Sequence, residues 1–332
     1  MRIVIVTDAW KPQVNGVVRT LSMLVGELEL AGHHVTMITP DGFNTVACPT
    51  YPEIRLSLFP AAKVARLIKA SQPCAIHIAT EGPLGWAARR YCKAQGLPYT
   101  TAYHTRFPEY VQARFGIPLT LSYGVVRRFH GSAASVMVAT QTVEDDLTRR
   151  GFQNIRRWSR GVDTGLFRPR AAKVYDLPRP IFLSVGRLAV EKNLDAFLRL
   201  QLPGSKVVVG DGPDRAALQS RYPDAHFVGA KHGEDLAAHY AGADVFVFPS
   251  RTDTFGLVLL EALASGLPVA ALPVPGPLDV MHDSRVGVLS EDLGAAALTA
   301  LSLSREHCVE HAARFSWQAS ARQFVDNLTP FA

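Results

Sequence analysis

A repeated alternation of short apolar runs with amphipathic stretches most restricts what this chain can fold into. Ile3–Thr7 and Val35–Thr39 are β-rich and apolar. Between them Gly16–Ala31 has helical spacing, with Val17, Thr20, Leu21, Leu24, Leu28 and Ala31 on one face and Gly32 as a stop. Strand, glycine-containing loop, helix, glycine and strand make the opening unit of a parallel α/β sheet. The spacing predicts further strands at Ala75–Ala79, Tyr99–Ala102 and Ser135–Ala139, and helices at Gly85–Gln95, Pro118–Phe129 and Thr142–Arg150. Arg168–Pro180, polar and bounded by Pro169, Pro178 and Pro180, is the linker candidate. The alternation then restarts, with strands expected at Ile181–Val185, Lys206–Val209, Ala225–Val228, Asp244–Pro249 and Pro268–Leu272. Helices are expected at Leu194–Leu200, Pro213–Arg221, Glu234–Ala241 and Phe255–Ala264. Val207–Val209 and Val245–Phe248 are continuously apolar, as parallel strands covered on both faces require. A chain of 332 residues, 48% hydrophobic, has material for two cores. The expected division is 1–168 and 169–332, an arrangement in which the last helix can cross back to the first domain. Two such domains would leave a cleft between the carboxyl ends of their strands, so the strand-to-helix loops are the functional candidates.

Several classes are excluded. The four cysteines, Cys48, Cys74, Cys92 and Cys308, form no CxxC and no metal-ligand spacing with histidine, which argues against structural zinc and a disulfide framework. The opening MRIVIVTDAW reads as a strand and not as a signal peptide. No run reaches the roughly 18–20 apolar residues of a spanning helix. A cytoplasmic protein is expected, touching a membrane only by its surface. Residues up to Arg170 hold 21 Lys/Arg against 11 Asp/Glu, whereas the remainder hold 14 against 18. Arginines interleaved with large apolar residues suit anionic lipid or phosphate. No zinc-finger, KH or RRM signature accompanies them, so no nucleic-acid partner is expected.

Four loops look chemical. Asp8–Val17 (DAWKPQVNGV) puts Asn15-Gly16 between a strand and a helix; Gly16 permits close backbone approach and the helix offers N–H groups to an anion, although Asn-Gly also serves as a plain turn. His104, in TAYHTRFPEY, follows a strand end, where it suits either a site or ordinary hydrogen bonding. Ser184-Val185-Gly186-Arg187 ends a strand and Glu191-Lys192-Asn193 starts a helix, so Arg187 and Lys192 can converge on one anion; Gly210-Asp211-Gly212 closes the neighbouring strand. Two cations and a glycine turn fit a diphosphate better than a carboxylate, the bland reading being a solvated Arg–Glu pair. In PSRTDTFGLVLLEALASGLP, Asp253 lies in a loop, Phe255-Gly256-Leu257 leads into a helix, and Glu261 follows. Leu257, Leu260, Leu263 and Ala264 are expected to face the sheet and Glu261 the cleft. A carboxylate can accept from two neighbouring sugar hydroxyls; a cap and a solvated helix acid are the alternative.

Together these loops resemble a retaining glycosyltransferase of family 4, almost end to end, most specifically through SVGRLAVEKN, GDGPDR, GADVFVFPSRTDTFGLVLLEALASGLPVA and PVPGPLDV. The resemblance implies the GT-B fold, an α/β architecture whose two Rossmann-like domains set parallel sheets across a cleft, the first binding the acceptor and the second the nucleotide-sugar donor. It matches Arg187 and Lys192 to the donor-diphosphate cations, Glu261 to the ribose-binding acid, Gly16 to the loop glycine near the diphosphate and His104 to the histidine near the donor sugar. Gly186, Gly210, Gly212, Phe255, Gly256 and Leu257 complete the donor loops. Asp253 departs from the family's glutamate eight residues before its second glutamate, which alters sugar reach. The implied chemistry needs no metal and no cofactor beyond the donor. Configuration is retained by front-face return, His104 positions sugar, and the leaving phosphate takes the acceptor proton.

TDTFG, YHTRFPEY and GPLDV resemble a narrower set: sulfoquinovosyl-, glucosyl- or glucuronosyl-diacylglycerol synthases and related mannosyltransferases. This favours a UDP-sugar and a lipid acceptor such as diacylglycerol, on the inner face of the cell membrane. Arg55, Lys63, Arg66 and Lys69 among Leu56, Leu58, Phe59, Val64, Leu67 and Ile68, and Leu119, Leu121, Tyr123, Val125 and Val126 before Arg127 and Arg128, could rest on an anionic bilayer or be half core, half solvated. The rival is a GDP-mannose- or UDP-glucose-dependent α-glycosyltransferase with a polysaccharide or small soluble acceptor. A sugar epimerase of similar architecture should lack the Arg/Lys pair and the Asp253–Glu261 arrangement.

Overall fold

The computed structural model describes residues 1–332 except 14, 49, 50, 172 and 332. The chain forms two compact units, Met1–Ser159 with Trp317–Ala332, and Arg160–Ser316.

The first unit contains strands β1 (Arg2–Val6), β2 (His34–Ile38), β3 (Thr45–Cys48), β4 (Tyr51–Ser57), β5 (Ala75–Ile78), β6 (Thr100–Tyr103), β7 (Ser135–Val138) and β8 (Ile155–Arg157). Its helices are α1 (Gly16–Leu30), α2 (Ala61–Ser71), α3 (Pro83–Gln95), α4 (Phe107–Phe115), α5 (Leu119–His130) and α6 (Gln141–Arg149). Six strands form one parallel sheet in the order β2-β1-β5-β6-β7-β8, and β3 and β4 pair antiparallel on their own. The two-residue alternation of β1 explains the unbroken apolar run Ile3–Val6. Val4 and Val6 pack with Ile76, Ile78 and Leu84, while Ile3 and Ile5 pack with Leu21, Leu24 and Leu28 of α1, so both faces are covered. The buried set of α1 is Val18, Thr20, Leu21, Leu24 and Leu28; Ala31, expected on that face, is an exposed cap beyond the helix end.

The second unit contains β9 (Ile181–Val185), β10 (Ser205–Val209), β11 (His226–Gly229), β12 (Val245–Phe248), β13 (Val269–Ala271) and β14 (Gly287–Leu289). Helices α7 (Leu194–Leu198), α8 (Arg215–Arg221), α9 (Gly233–Ala241), α10 (Leu257–Ala264), α11 (Pro277–Val280), α12 (Leu293–Ala300) and α13 (Arg305–Ala312) surround them. The parallel order β11-β10-β9-β12-β13-β14 runs outward in both directions from β9 and β12. That reversal is the switch point, where the crossover helices diverge and the strand ends open to a ligand. The proline-bounded stretch Arg168–Pro180 lies inside this unit, where Tyr175 donates its hydroxyl to His239 O at 3.0 Å.

The last helix, α14 (Trp317–Asn327), belongs to the first unit. Ala321 and Phe324 pack with Ile3, Ile5 and Trp158, and Trp158 Nε1 donates to Ser320 Oγ at 3.0 Å.

Candidate functional site

The second unit stitches the two loops at its switch point together. A short 3-10 turn at Val190–Lys192 precedes Asn193, held at φ +53. Asn193 Nδ2 donates to Pro249 O at 3.0 Å, and Ser250 and Thr252 donate to Glu191 O at 3.4 and 3.3 Å. Across this bridge Lys192 Nζ meets Asp253 Oδ1 at 2.6 Å. The pair is half-buried, 25% and 18% exposed, so solvent screens it only in part. Asp253 Oδ2 is buried and accepts no hydrogen bond. A carboxylate oxygen in that state gains most from a hydroxyl donor brought by a ligand. Arg187 is half-buried on the loop leaving β9.

The glycine turns serve this framework. A Cβ on Gly210 would lie 1.8 Å from Gly186 O, and one on Gly212 would lie 2.3 Å from Leu188 O. Glycine at both positions lets the loop after β10 lie directly against the loop after β9, where Gly186 N–H bonds Val209 O and Leu188 N–H bonds Asp211 O. Gly210 and Gly212 therefore bring backbone against backbone.

α10 starts at Leu257, because Gly256 at φ +81 holds the left-handed turn before it; Phe255 precedes the helix as a buried residue. The expected amphipathic split fails here. Leu259 through Ala264 are all buried, including Glu261 at 3% exposure, while Leu257 is half-buried. Glu261 Oε2 accepts from Tyr240 Oη at 2.9 Å. A carboxylate so little exposed needs such donors to remain in the fold.

In the first unit the switch point lies between β1 and β5, and Asp8 occupies it. Its carboxylate accepts from Thr80 Oγ1 at 2.9 Å and from the Leu84 and Gly85 amides at 2.8 and 3.3 Å, capping α3. Burial nevertheless pushes the Asp8 carboxyl up to about 6. Gly16 is the exposed first residue of α1. The expectation of open α1 amides is corrected at two of them: Asn15 Oδ1 accepts from Val17 and Val18 N–H at 3.0 Å each. Val14 of the same loop lies outside the described residues. His104 is half-buried after β6, its ring edge-on to Trp158 at 5.6 Å. Trp158 is fully buried and is held in turn by α14 through Ser320 and Phe324, so the last helix backs the indole that His104 packs against.

The basic-apolar segments are only partly as expected. Val64 and Ile68 are core, and so are Tyr123 and Val126, because each helix turns one face inward. Arg55 is exposed but bonds Thr45, and half-buried Lys63 bonds Gly42 O while lying over the Phe43 ring; Arg66 and Lys69 are exposed on α2. On α5 Leu121, Val125 and Arg128 share an outward stripe, with Leu121 64% and Val125 58% exposed. Phe107, Phe115 and Ile117 on or beside α4 and Phe59 before α2 are also exposed.

Tyr240 and Trp158 escape sequence reading, since both look like ordinary aromatic core. Asp8 carries a signal that was readable: an acid directly at the end of a buried strand. Among the described residues no cluster of three or more His, Cys, Asp or Glu could hold a metal ion, and no helix is long and apolar enough to cross a membrane.

The description Glycosyltransferase Family 4 matches residues 14–166 and Glycosyl transferases group 1 matches residues 179–305. A GDP-mannose-dependent alpha-mannosyltransferase of Mycobacterium tuberculosis is 34% identical over 87% of this chain and 83% of its own. A protein of the same name from Corynebacterium glutamicum is 31% identical over 98% and 88%. An alpha-monoglucosyldiacylglycerol synthase of Streptococcus pneumoniae is 28% identical over 91% and 78%. Among solved structures, sucrose-phosphate synthase from Thermosynechococcus elongatus superposes with TM-score 0.75 at 23% identity over 98% of this chain and 97% of that one. Anabaena HepE in complex with UDP gives 0.72 at 16% identity over 98% and 99%.

Proposed function

The chain belongs to glycosyltransferase family 4, and on that premise we propose that it moves a mannosyl group from GDP-mannose to an acceptor hydroxyl with retention of configuration. The observation that carries the donor is the 34% identity to a GDP-mannose-dependent alpha-mannosyltransferase over 87% of this chain. It weighs against the UDP-sugar favoured by the narrower motifs and for the rival reading of the same site.

In this reading Arg187 and Lys192 face the diphosphate, with the Gly16 loop near it. Gly186, Gly210 and Gly212 keep the loops after β9 and β10 in register. Phe255, Gly256 and Leu257 start α10 at the donor, and Glu261 accepts from the ribose. The free oxygen of Asp253 takes a hydroxyl of the transferred sugar, and His104 steadies that sugar. The bond between the anomeric carbon and the phosphate oxygen breaks with its electron pair going to GDP, whose growing charge the two cations stabilise. The acceptor oxygen bonds the anomeric carbon on the same face, and its proton passes to the departing phosphate oxygen. The protein's own cations supply the charge that a metal would otherwise bring.

The acceptor is proposed to be presented at an anionic membrane surface, on its cytoplasmic side, with the protein held there peripherally. Support comes from the outward Leu121–Val125–Arg128 stripe and from exposed Arg66 and Lys69. A UDP-sugar with diacylglycerol is the second reading, favoured by the 28% identity to a glucosyldiacylglycerol synthase. The test is a screen crossing GDP-mannose, UDP-glucose, UDP-glucuronate and UDP-sulfoquinovose with diacylglycerol, lipid-linked and soluble sugar acceptors. Transfer from GDP-mannose is the expected result; transfer from a UDP-sugar alone would overturn the donor.

A further inference from the structure

We infer that Tyr240 is a positioning residue for the donor nucleotide, its hydroxyl fixing the Glu261 carboxylate in the orientation that accepts from both ribose hydroxyls. The inference rests on the reading of Glu261 as the ribose acid. Tyr240 closes α9 with no solvent exposure, and its hydroxyl donates to Glu261 Oε2 at 2.9 Å. The ring is itself held. Phe167 meets it edge-on at 5.7 Å and 85°, and Phe246 of β12 lies tilted against it at 5.7 Å. With the ring packed on two sides, the phenol oxygen is held in place beside Glu261.

The chemistry suits a ribose more than a structural ion pair. A carboxylate has about four lone-pair directions, and one phenolic O–H uses one of them. The bond therefore pins the Oε2 side of the carboxylate with a donor that brings no charge of its own. Two vicinal hydroxyls can be accepted together only by a carboxylate whose plane is set. A neutral donor also leaves the negative charge of Glu261 in place, whereas a lysine or arginine there would neutralise it and compete for the nearby diphosphate. Bonds to a charged acceptor in a buried site are the ones whose loss is felt most.

The experiment is titration calorimetry of parent and Tyr240→Phe protein with GDP and UDP and with their 2′,3′-dideoxy counterparts. Phenylalanine keeps the ring packing and deletes the hydroxyl alone. The parent is expected to prefer the ribonucleotide at least ten-fold, and Tyr240→Phe to lose about ten-fold for the ribonucleotide and almost nothing for the dideoxy ligand. Phe167→Leu, which leaves the hydroxyl but loosens the ring, is expected to narrow the same ratio and stands in should Tyr240→Phe not fold. A ribonucleotide-to-dideoxy ratio unchanged from the parent, in whichever of the two folds, overturns the positioning role. Glu261→Gln separates the layers. If it collapses the ratio while Tyr240→Phe does not, Tyr240 alone is refuted. If it too leaves the ratio unchanged, or the parent binds neither nucleotide, the ribose reading of Glu261 fails and the inference falls with it.

Discussion

Lys192 Nζ lies 2.6 Å from Asp253 Oδ1, so the cation read as a diphosphate ligand and the acid read as a sugar ligand are partners before any donor arrives. They come from opposite sides of the β9–β12 switch point, on loops joined by Asn193, Ser250 and Thr252. A donor bringing phosphate to Lys192 and a hydroxyl to Asp253 would meet both at a preset spacing.

The two residues should consequently not act independently. Lys192→Ala is expected to lower kcat/KM by about 30- to several-thousand-fold, the effect of roughly 2–5 kcal/mol for losing a desolvated charge contact. Arg187→Ala should fall in the same range. Combining Lys192→Ala with Asp253→Asn should cost less than the product of the two single effects, because each single change also strands the other partner. Steady-state kinetics on the four proteins, with circular dichroism to confirm folding, decides it; strict multiplicativity would mean the pair is incidental.

Glu261 and Asp253 should separate by ligand. Glu261→Gln is expected to weaken GDP and GDP-mannose alike, since both carry the ribose. Asp253→Asn should weaken GDP-mannose more than GDP. Calorimetry with the two ligands reads this directly, and equal losses for both ligands in both variants would contradict the division of roles.

Asp8 gives a pH signature. Burial raises its carboxyl from 3.8 to about 6 despite the hydrogen bonds from Leu84, Thr80 and Gly85. Between about pH 4 and 6 the folded chain therefore holds a proton that the unfolded chain has released, so the contribution of Asp8 to stability falls as pH rises through that window. Asp8→Asn removes the titration. Measured by urea unfolding, the stability difference between variant and parent should move in favour of the variant by about 2–3 kcal/mol from pH 4 to pH 7. A difference that stays constant with pH would show that Asp8 is not protonated in the fold.

The membrane proposal has its own readout. Leu121→Ser with Val125→Ser should reduce flotation with vesicles of phosphatidylglycerol and phosphatidylcholine, and Arg66→Gln with Lys69→Gln should reduce it further at low salt than at high. Each exposed cation near an anionic surface contributes about 1 kcal/mol, screened as salt rises. Activity on a soluble acceptor should survive these changes while activity on vesicle-borne acceptor falls. Unchanged flotation in both double variants would remove both segments from the interface.

The alternation of strands and helices was legible because strands covered on both faces are continuously apolar, as β12 and the Ile3–Val6 part of β1 are. Boundaries moved by a residue or two where a glycine or a cap decided them, as at Gly256 and Ala31. The β3–β4 hairpin and the helices after Leu272 were missed, since Thr45–Cys48 is too short for a period and α12 is apolar all round. The loops bearing Arg187, Lys192 and Asp253 stood out because charged residues there interrupt apolar runs. Their mutual bond did not, because 61 residues of sequence separate Lys192 from Asp253 and only the sheet order brings them together. Tyr240 and Trp158 carry no local sign at all; what distinguishes them is a single polar atom turned toward a residue far along the chain.

The return of α14 to the first unit gives the molecule a chronology. On the ribosome the second unit emerges as one uninterrupted stretch and can close as soon as it is out. The first unit begins earlier yet finishes later, because Ile3, Ile5 and Trp158 await Ala321 and Phe324 to complete their layer. Until then His104 leans on an indole whose backing has yet to be made. A nascent chain would thus carry a finished second unit beside an unready first, and the aromatic support of His104 would be in place only once translation has passed the final helix.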